Sequence, residues 1–101
     1  PAERSEFLDA FYGLASSDAR ERAVGGQVIL HHALLGPQAN ATDAAYALRR
    51  LLNGVCSGRA SARQGNASCL ASFLKVAVLN GVLKEIQANS SDPKDQNTSM
   101  L

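Results

Sequence analysis

Tryptophan is absent from this chain of 101 residues, and the only aromatic side chains are Phe7, Phe11, Tyr12, Tyr46 and Phe73. That limits what an interior can be built from. The composition is 46 % hydrophobic, yet 17 of the 46 hydrophobic residues are alanine. Full burial of a leucine or phenylalanine stabilises by roughly 1.5–3 kcal/mol and burial of an alanine by far less, so a thin core is expected. Three prolines and eight glycines are too few for a collagen-like or low-complexity chain. β-Branched residues are also scarce, with ten Val, Ile and Thr against thirty Ala and Leu. This ratio favours helix, because branching at Cβ restricts the side chain in a helix and alanine has no side-chain freedom to lose. No run of 18 uncharged apolar residues occurs, so no membrane span is expected. No basic, apolar leader of the secretory type opens the chain, and the initial proline leads us to expect a natural start further upstream. At this length the chain is one domain or part of a larger one.

Catalytic motifs are missing too. There is no GxSxG elbow, no HExxH pair and no acidic dyad in a suitable context, which leaves nucleophilic, zinc and glycosidase chemistry without a foothold. The run Gly54-Val55-Cys56-Ser57-Gly58-Arg59 lacks the spacer and lysine of a phosphate loop and follows a helix rather than a strand, so it reads as a helix break. His31 and His32, adjacent on a helix, point about 100° apart and cannot easily face one ion. Cys56 and Cys69 are thirteen residues apart on different expected helices, unlike a CxxC pair. No metal, cofactor or small-molecule substrate is expected.

Helical periodicity is present almost throughout. Phe7, Leu8, Phe11, Tyr12, Leu14 and Ala15 predict a helix over Ser5 to Ala15. Asp18 and Glu21 read as a capping-box pair opening a second helix to about Leu35. Gly25-Gly26 inside it costs roughly 2 kcal/mol against two alanines, so either a neighbour packs very close there or the helix is interrupted, and close packing is the expectation. Gly36-Pro37 ends it. Thr42 is the expected N-cap of a third helix over 43–56, with Ala44, Ala47, Leu48, Leu51 and Val55 inward and Arg49 and Arg50 falling away. A fourth helix follows from about Arg59 to Leu79, apolar nearly all round in its second half and so expected to be covered on more than one side. Asn80 is the expected cap of a fifth, running to Gln87. Paired helices with short breaks predict an all-α chain, an armadillo/HEAT-like α-solenoid fragment of four to five helices over residues 1–87. Residues 88–101 read as a polar, disordered or linker tail.

Net charge is only +1, but it is unevenly spread: residues 1–42 sum to −2, residues 43–75 to +4 and residues 76–101 to −1. The basic middle third makes Arg49, Arg50 and Arg59 candidate contacts for phosphate or an acidic partner. The competing expectation is that arginines brace the helix break by bonding to carbonyls at the end of the third helix. Arg63, set among Ala62, Gly65 and Ala67, reads as the more structural one. A different class is also open. Four Asn-x-Ser/Thr sequons, at Asn40, Asn66, Asn89 and Asn97, together with the two cysteines fit a secreted small helical domain with N-glycosylation and a Cys56–Cys69 disulfide.

The run Tyr46-Ala47-Leu48-x-Arg50-Leu51-x-x-Gly54-x-x-Ser57-x-Arg59-x-x-Ala62-Arg63-x-Gly65 resembles the N-terminal region of the Myb-binding protein 1A / DNA polymerase phi family. Phe7-Leu8-x-x-Phe11-Tyr12-x-Leu14-Ala15, followed by Arg22, resembles that family's opening helices, and the likeness covers Ser5 to Gln87. It departs at Gly25-Gly26, where good helix formers stand in the family, and at Asn66, where an aromatic follows the glycine. The resemblance implies a large helical-repeat protein of the nucleus and nucleolus, acting in ribosomal RNA gene transcription, transcriptional regulation and ribosome biogenesis. It would do so by binding protein partners and rDNA or RNA. Polymerase chemistry is not expected, since it needs clustered carboxylates on two metal ions and Asp9, Asp18 and Asp43 fall on separate segments. Tyr46, Leu51, Gly54, Ser57, Arg63 and Gly65 are the structural motif positions.

Overall fold

In the computed structural model, which describes residues 2–90, every regular element is helical. The helices are α1 (Ala2–Gly13), α2 (Ala19–Leu30), α3 (Ala41–Gly54), α4 (Ala60–Leu79) and α5 (Leu83–Ser90), and α2 continues into a π-helical stretch, His31–Leu35. No strand occurs among the described residues. The end of α5 takes in three residues of the expected tail, and 91–101 lie outside the described residues.

The buried positions follow helical spacing. Phe7, Ala10 and Phe11 line one face of α1, with Leu14 buried just beyond its end, and Ala62, Gly65, Asn66, Cys69, Phe73 and Ala77 line one face of α4. α1 packs on α2, α3 packs on both α4 and α5, and α2 crosses α4. Among the described residues, seven of the fifteen buried apolar side chains are alanine, so the helices meet through short side chains and near-backbone contact. Gly25 shows how close: a methyl group there would lie 2.7 Å from the Ala10 carbonyl oxygen of α1. The helix runs through Gly25-Gly26 without interruption, and the propensity cost is offset by this approach.

Several helix ends differ from expectation. α3 starts one residue before Thr42: Asn40 is the cap, its Oδ1 accepting from the Asp43 N–H at 2.8 Å. It stops at Gly54 in a tight turn rather than at 56. Asp18 caps α2 through the Arg20 N–H at 2.8 Å, but no capping box closes, because Glu21 takes the Ser16 hydroxyl at 2.6 Å instead. Asn80 belongs to the end of α4, and Gly81, at φ +67°, makes the left-handed turn into α5. The second half of α4 is covered on one side only. Cys69, Phe73 and Ala77 are buried, whereas Leu74, Val78 and Leu79 are exposed.

Candidate functional site

The α1–α2 and α3–α4 connections lie at the same end of the molecule, tied together through α4. The carbonyls of these connections have no helical partner, and here arginine and serine side chains supply the donors. Arg22 Nη1 donates to the Ser16 carbonyl at 2.8 Å, and Arg63 Nη1 to the Ser57 carbonyl at 2.9 Å. Ser61 Oγ donates to the Ala15 carbonyl at 2.8 Å, and Arg59 Nη2 reaches the same oxygen at 3.5 Å. The approach depends on Gly65, where a methyl group would lie 1.9 Å from the Leu14 carbonyl oxygen. Next to it Asn66 is buried, its Nδ2 donating to the Ala62 carbonyl at 2.9 Å, in the space left by Gly54. A larger ring at 66 would have no room beside α3.

The candidate contact residues divide. Arg49 is exposed. Arg50 does not fall away from the core. Its guanidinium lies 4.5 Å from the Phe11 ring centre, 5.4 Å from Tyr12 and 6.0 Å from Tyr46, and it donates to the Tyr46 hydroxyl at 2.8 Å. Arg59 is exposed at the N-cap of α4, where the Ser57 hydroxyl accepts from its N–H at 3.1 Å. Tyr46 also meets the Phe11 ring edge-on at 5.8 Å, and Leu51 is fully buried. Charge along this part of the sequence is one-sided. From Ala44 to Lys84 there is no Asp or Glu, while Arg49, Arg50, Arg59, Arg63, Lys75 and Lys84 fall in that span. On the neighbouring segment the two acids, Asp18 and Glu21, are matched in number by Arg20 and Arg22.

Sequence reasoning missed a polar cluster at the opposite end. Asp43 is 5 % exposed, and its carboxylate takes Arg4 Nη1 on one oxygen and His32 Nε2 on the other, the latter at 2.8 Å. Asn40 Nδ2 adds a contact at 3.2 Å, and the His32 ring stacks on Phe7 at 4.2 Å between centroids. Burial pushes the Asp43 carboxyl up, but the hydrogen bonds from Arg4, His32 and Asn40 and the Arg4 charge outweigh it, leaving the pKa below the ordinary carboxylate value. The signal in the sequence was a lone acid at a helix start, which reads as a dipole partner and nothing more. Among the described residues no group of three or more His, Cys, Asp or Glu is placed to hold a metal ion.

The Cys56–Cys69 bridge is not formed, and both thiols are free. The Cys69 thiol faces α2, 3.7 Å from where a methyl group on Gly26 would stand, whereas Cys56 is in the turn that follows α3. The sequon at Asn66 is buried, with its amide engaged, which excludes a glycan on the folded chain; those at Asn89 and Asn97 lie where no side chain is described. Cys56 is exposed, whereas burial pushes the Cys69 thiol up to about 11. At pH 8 the Cys69 thiolate is then about one part in a thousand. An aromatic disulfide reagent is expected to titrate one thiol per native chain and two in denaturant; two fast thiols in the native chain would contradict this burial.

Fold and site together define an all-helical bundle in which the segment from Ala44 to Lys84 carries basic residues and no acid. No protein-family model, curated protein or solved structure matches the chain.

Proposed function

We propose that this chain is a non-catalytic helical scaffold whose basic loop end contacts nucleic-acid phosphates, in the setting that its resemblance implies: nucleolar ribosome biogenesis and ribosomal RNA gene transcription. The observation that carries the reading is the acid-free stretch 44–84, whose four arginines, Arg49, Arg50, Arg59 and Arg63, fall in the last turns of α3, the connection and the first turn of α4. Charge of one sign on adjoining helices raises the local concentration of a polyanion and releases its counterions on contact. The exposed Leu74, Val78 and Leu79 support a second scaffold contact, since the open side of α4 is where a further helical pair of an armadillo/HEAT-like solenoid, or a protein partner, would pack.

Arg49 and Arg59 are the residues to reverse, because Arg50 is committed to its aromatic contacts. Arg59→Glu gives up the 3.5 Å contact with the Ala15 carbonyl, but Ser61 keeps that oxygen bonded and the new charge is favourable at a helix N-terminus. With a fluorescein-labelled RNA 20-mer of mixed sequence, Arg49→Glu/Arg59→Glu is expected to weaken binding about tenfold at low salt. The slope of log K against log salt should fall by about 1.4, each of the two lost phosphate contacts contributing about 0.7. Equal binding by the double variant, or wild-type binding that ignores salt, would end the proposal.

A further inference from the structure

Tyr12 is the largest exposed aromatic among the described residues, at 73 % exposure, and it stands in the last turn of α1 beside Arg50. Nothing in the core requires it there. Phe7 and Phe11 bury the opposite face of α1. Yet its ring is held: the Arg50 guanidinium lies over it at 5.4 Å, itself fixed over Phe11 and by its bond to the Tyr46 hydroxyl. With Arg50 on one side and such high exposure, the other side of the ring is open to solvent. Three residues further along, the Ala15 carbonyl takes Arg59, so a cation that could meet a phosphate stands close to this ring. The nearest acid on the same helix face is Asp9, one turn back toward the N-terminus, which directs an anionic ligand toward the loop side.

We infer that Tyr12 is a stacking platform for one unpaired base of a single-stranded nucleic acid, with Arg49 and Arg59 taking the flanking phosphates. An open aromatic ring in a basic surface is how single strands are held without sequence readout, because every base has a π-face and duplex bases are already stacked. The adjoining guanidinium holds the ring in place before the ligand arrives and so lowers the ordering cost of binding. This inference deepens the nucleic-acid reading and rests on it.

The test compares three labelled probes, oligo(U) and oligo(dT) ten-mers and a ten-base-pair mixed-sequence duplex, on wild type, Tyr12→Ala and Tyr12→Phe. Tyr12→Ala is expected to weaken binding of both single strands about tenfold, Tyr12→Phe to retain it, and duplex affinity to change less than twofold in either variant. Because the chain has no tryptophan, tyrosine emission is readable directly. Oligo(U) should quench it in the wild type and much less in Tyr12→Phe, a readout that does not depend on the alanine variant folding. Preference for oligo(U) over oligo(dT) would assign the 2′-hydroxyl a role, and equal binding would extend the platform to DNA; both agree with stacking. Unchanged single-strand binding by Tyr12→Ala, with the loss in Arg49→Glu/Arg59→Glu intact, would overturn the platform and leave the polyanion surface standing. No binding of any probe by the wild type would overturn both. Competition by poly-glutamate as effective as that by oligo(U) would overturn the platform in favour of an acidic peptide.

Discussion

Gly65→Ala is expected to lower the melting temperature of the chain by roughly 12–24 °C, for a cost of about 3 kcal/mol or more. The cause is local. The added methyl group would lie 1.9 Å from the Leu14 carbonyl oxygen and 2.8 Å from the Leu14 carbonyl carbon, and main chain cannot swing aside as a side-chain tip can. To admit it, α4 must lift away from the end of α1. That also separates Ser61 and Arg59 from the Ala15 carbonyl. An interior this rich in alanine has little slack to absorb the shift, and overpacked interiors respond by moving backbone. Gly58→Ala is the matched control, with nothing within 4 Å of the new methyl group and no positive φ. It should change stability by no more than about 0.5 kcal/mol. Thermal melts followed by circular dichroism at 222 nm decide the matter: a Gly65→Ala melt within a few degrees of wild type would mean that α4 does not depend on this contact.

Much of this was readable from residue order. Alanine and leucine in place of β-branched residues announced helices, and Phe7, Phe11, Leu51, Phe73 and their spacings marked the faces that are buried. Gly25-Gly26 inside a helical pattern was readable as a close approach because its cost had to be offset somewhere. Other features depend on partners that no local pattern names. Whether a cap is Asn40 or Thr42 turns on which side chain meets an amide, and both are good acceptors. Arg50 counts as a free charge on a helical wheel, yet it folds over Phe11 and Tyr12 because α1 ends beside α3, a fact about packing. The apolar second half of α4 predicted cover on two sides, and one side carries Leu74, Val78 and Leu79 in the open. Hydrophobicity reports a tendency to be covered but not what covers it. The Asp43 cluster was invisible for the same reason, its members being Arg4, His32 and Asn40 from three separate segments.

That cluster gives the chain a defined response to acid. Asp43 joins the starts of α1 and α3 and the stretch after α2, so removing its carboxylate leaves Arg4 and His32 without their acceptor at once, while Asn40 keeps its bond to the Gln38 carbonyl. Hydrogen bonds to a charged group contribute about 1.5–3 kcal/mol, and Asp43→Ala is expected to cost about 2–3 kcal/mol at neutral pH. Asp43→Asn keeps the shape and an acceptor oxygen and should lose less. The sign of the pH dependence follows from the depressed pKa of the folded state. A carboxyl that holds its proton less tightly when folded contributes stability in full above its unfolded pKa, about 3.9, and loses it as pH falls through the lower folded value. The stability gap between wild type and Asp43→Ala should therefore be flat from about pH 8 to 5 and close progressively below about pH 4. Urea midpoints for both chains across that range measure it. A gap that persists undiminished at pH 3 would show that Asp43 acts through packing rather than charge, and a gap absent at pH 7 would show that Arg4 and His32 find other partners when it is gone. The second outcome would free the N-terminal end of α1 from α3 and leave the Gly65 contact, at the far end of the same helix, as what fixes how α1 sits on the hairpin that carries the basic surface.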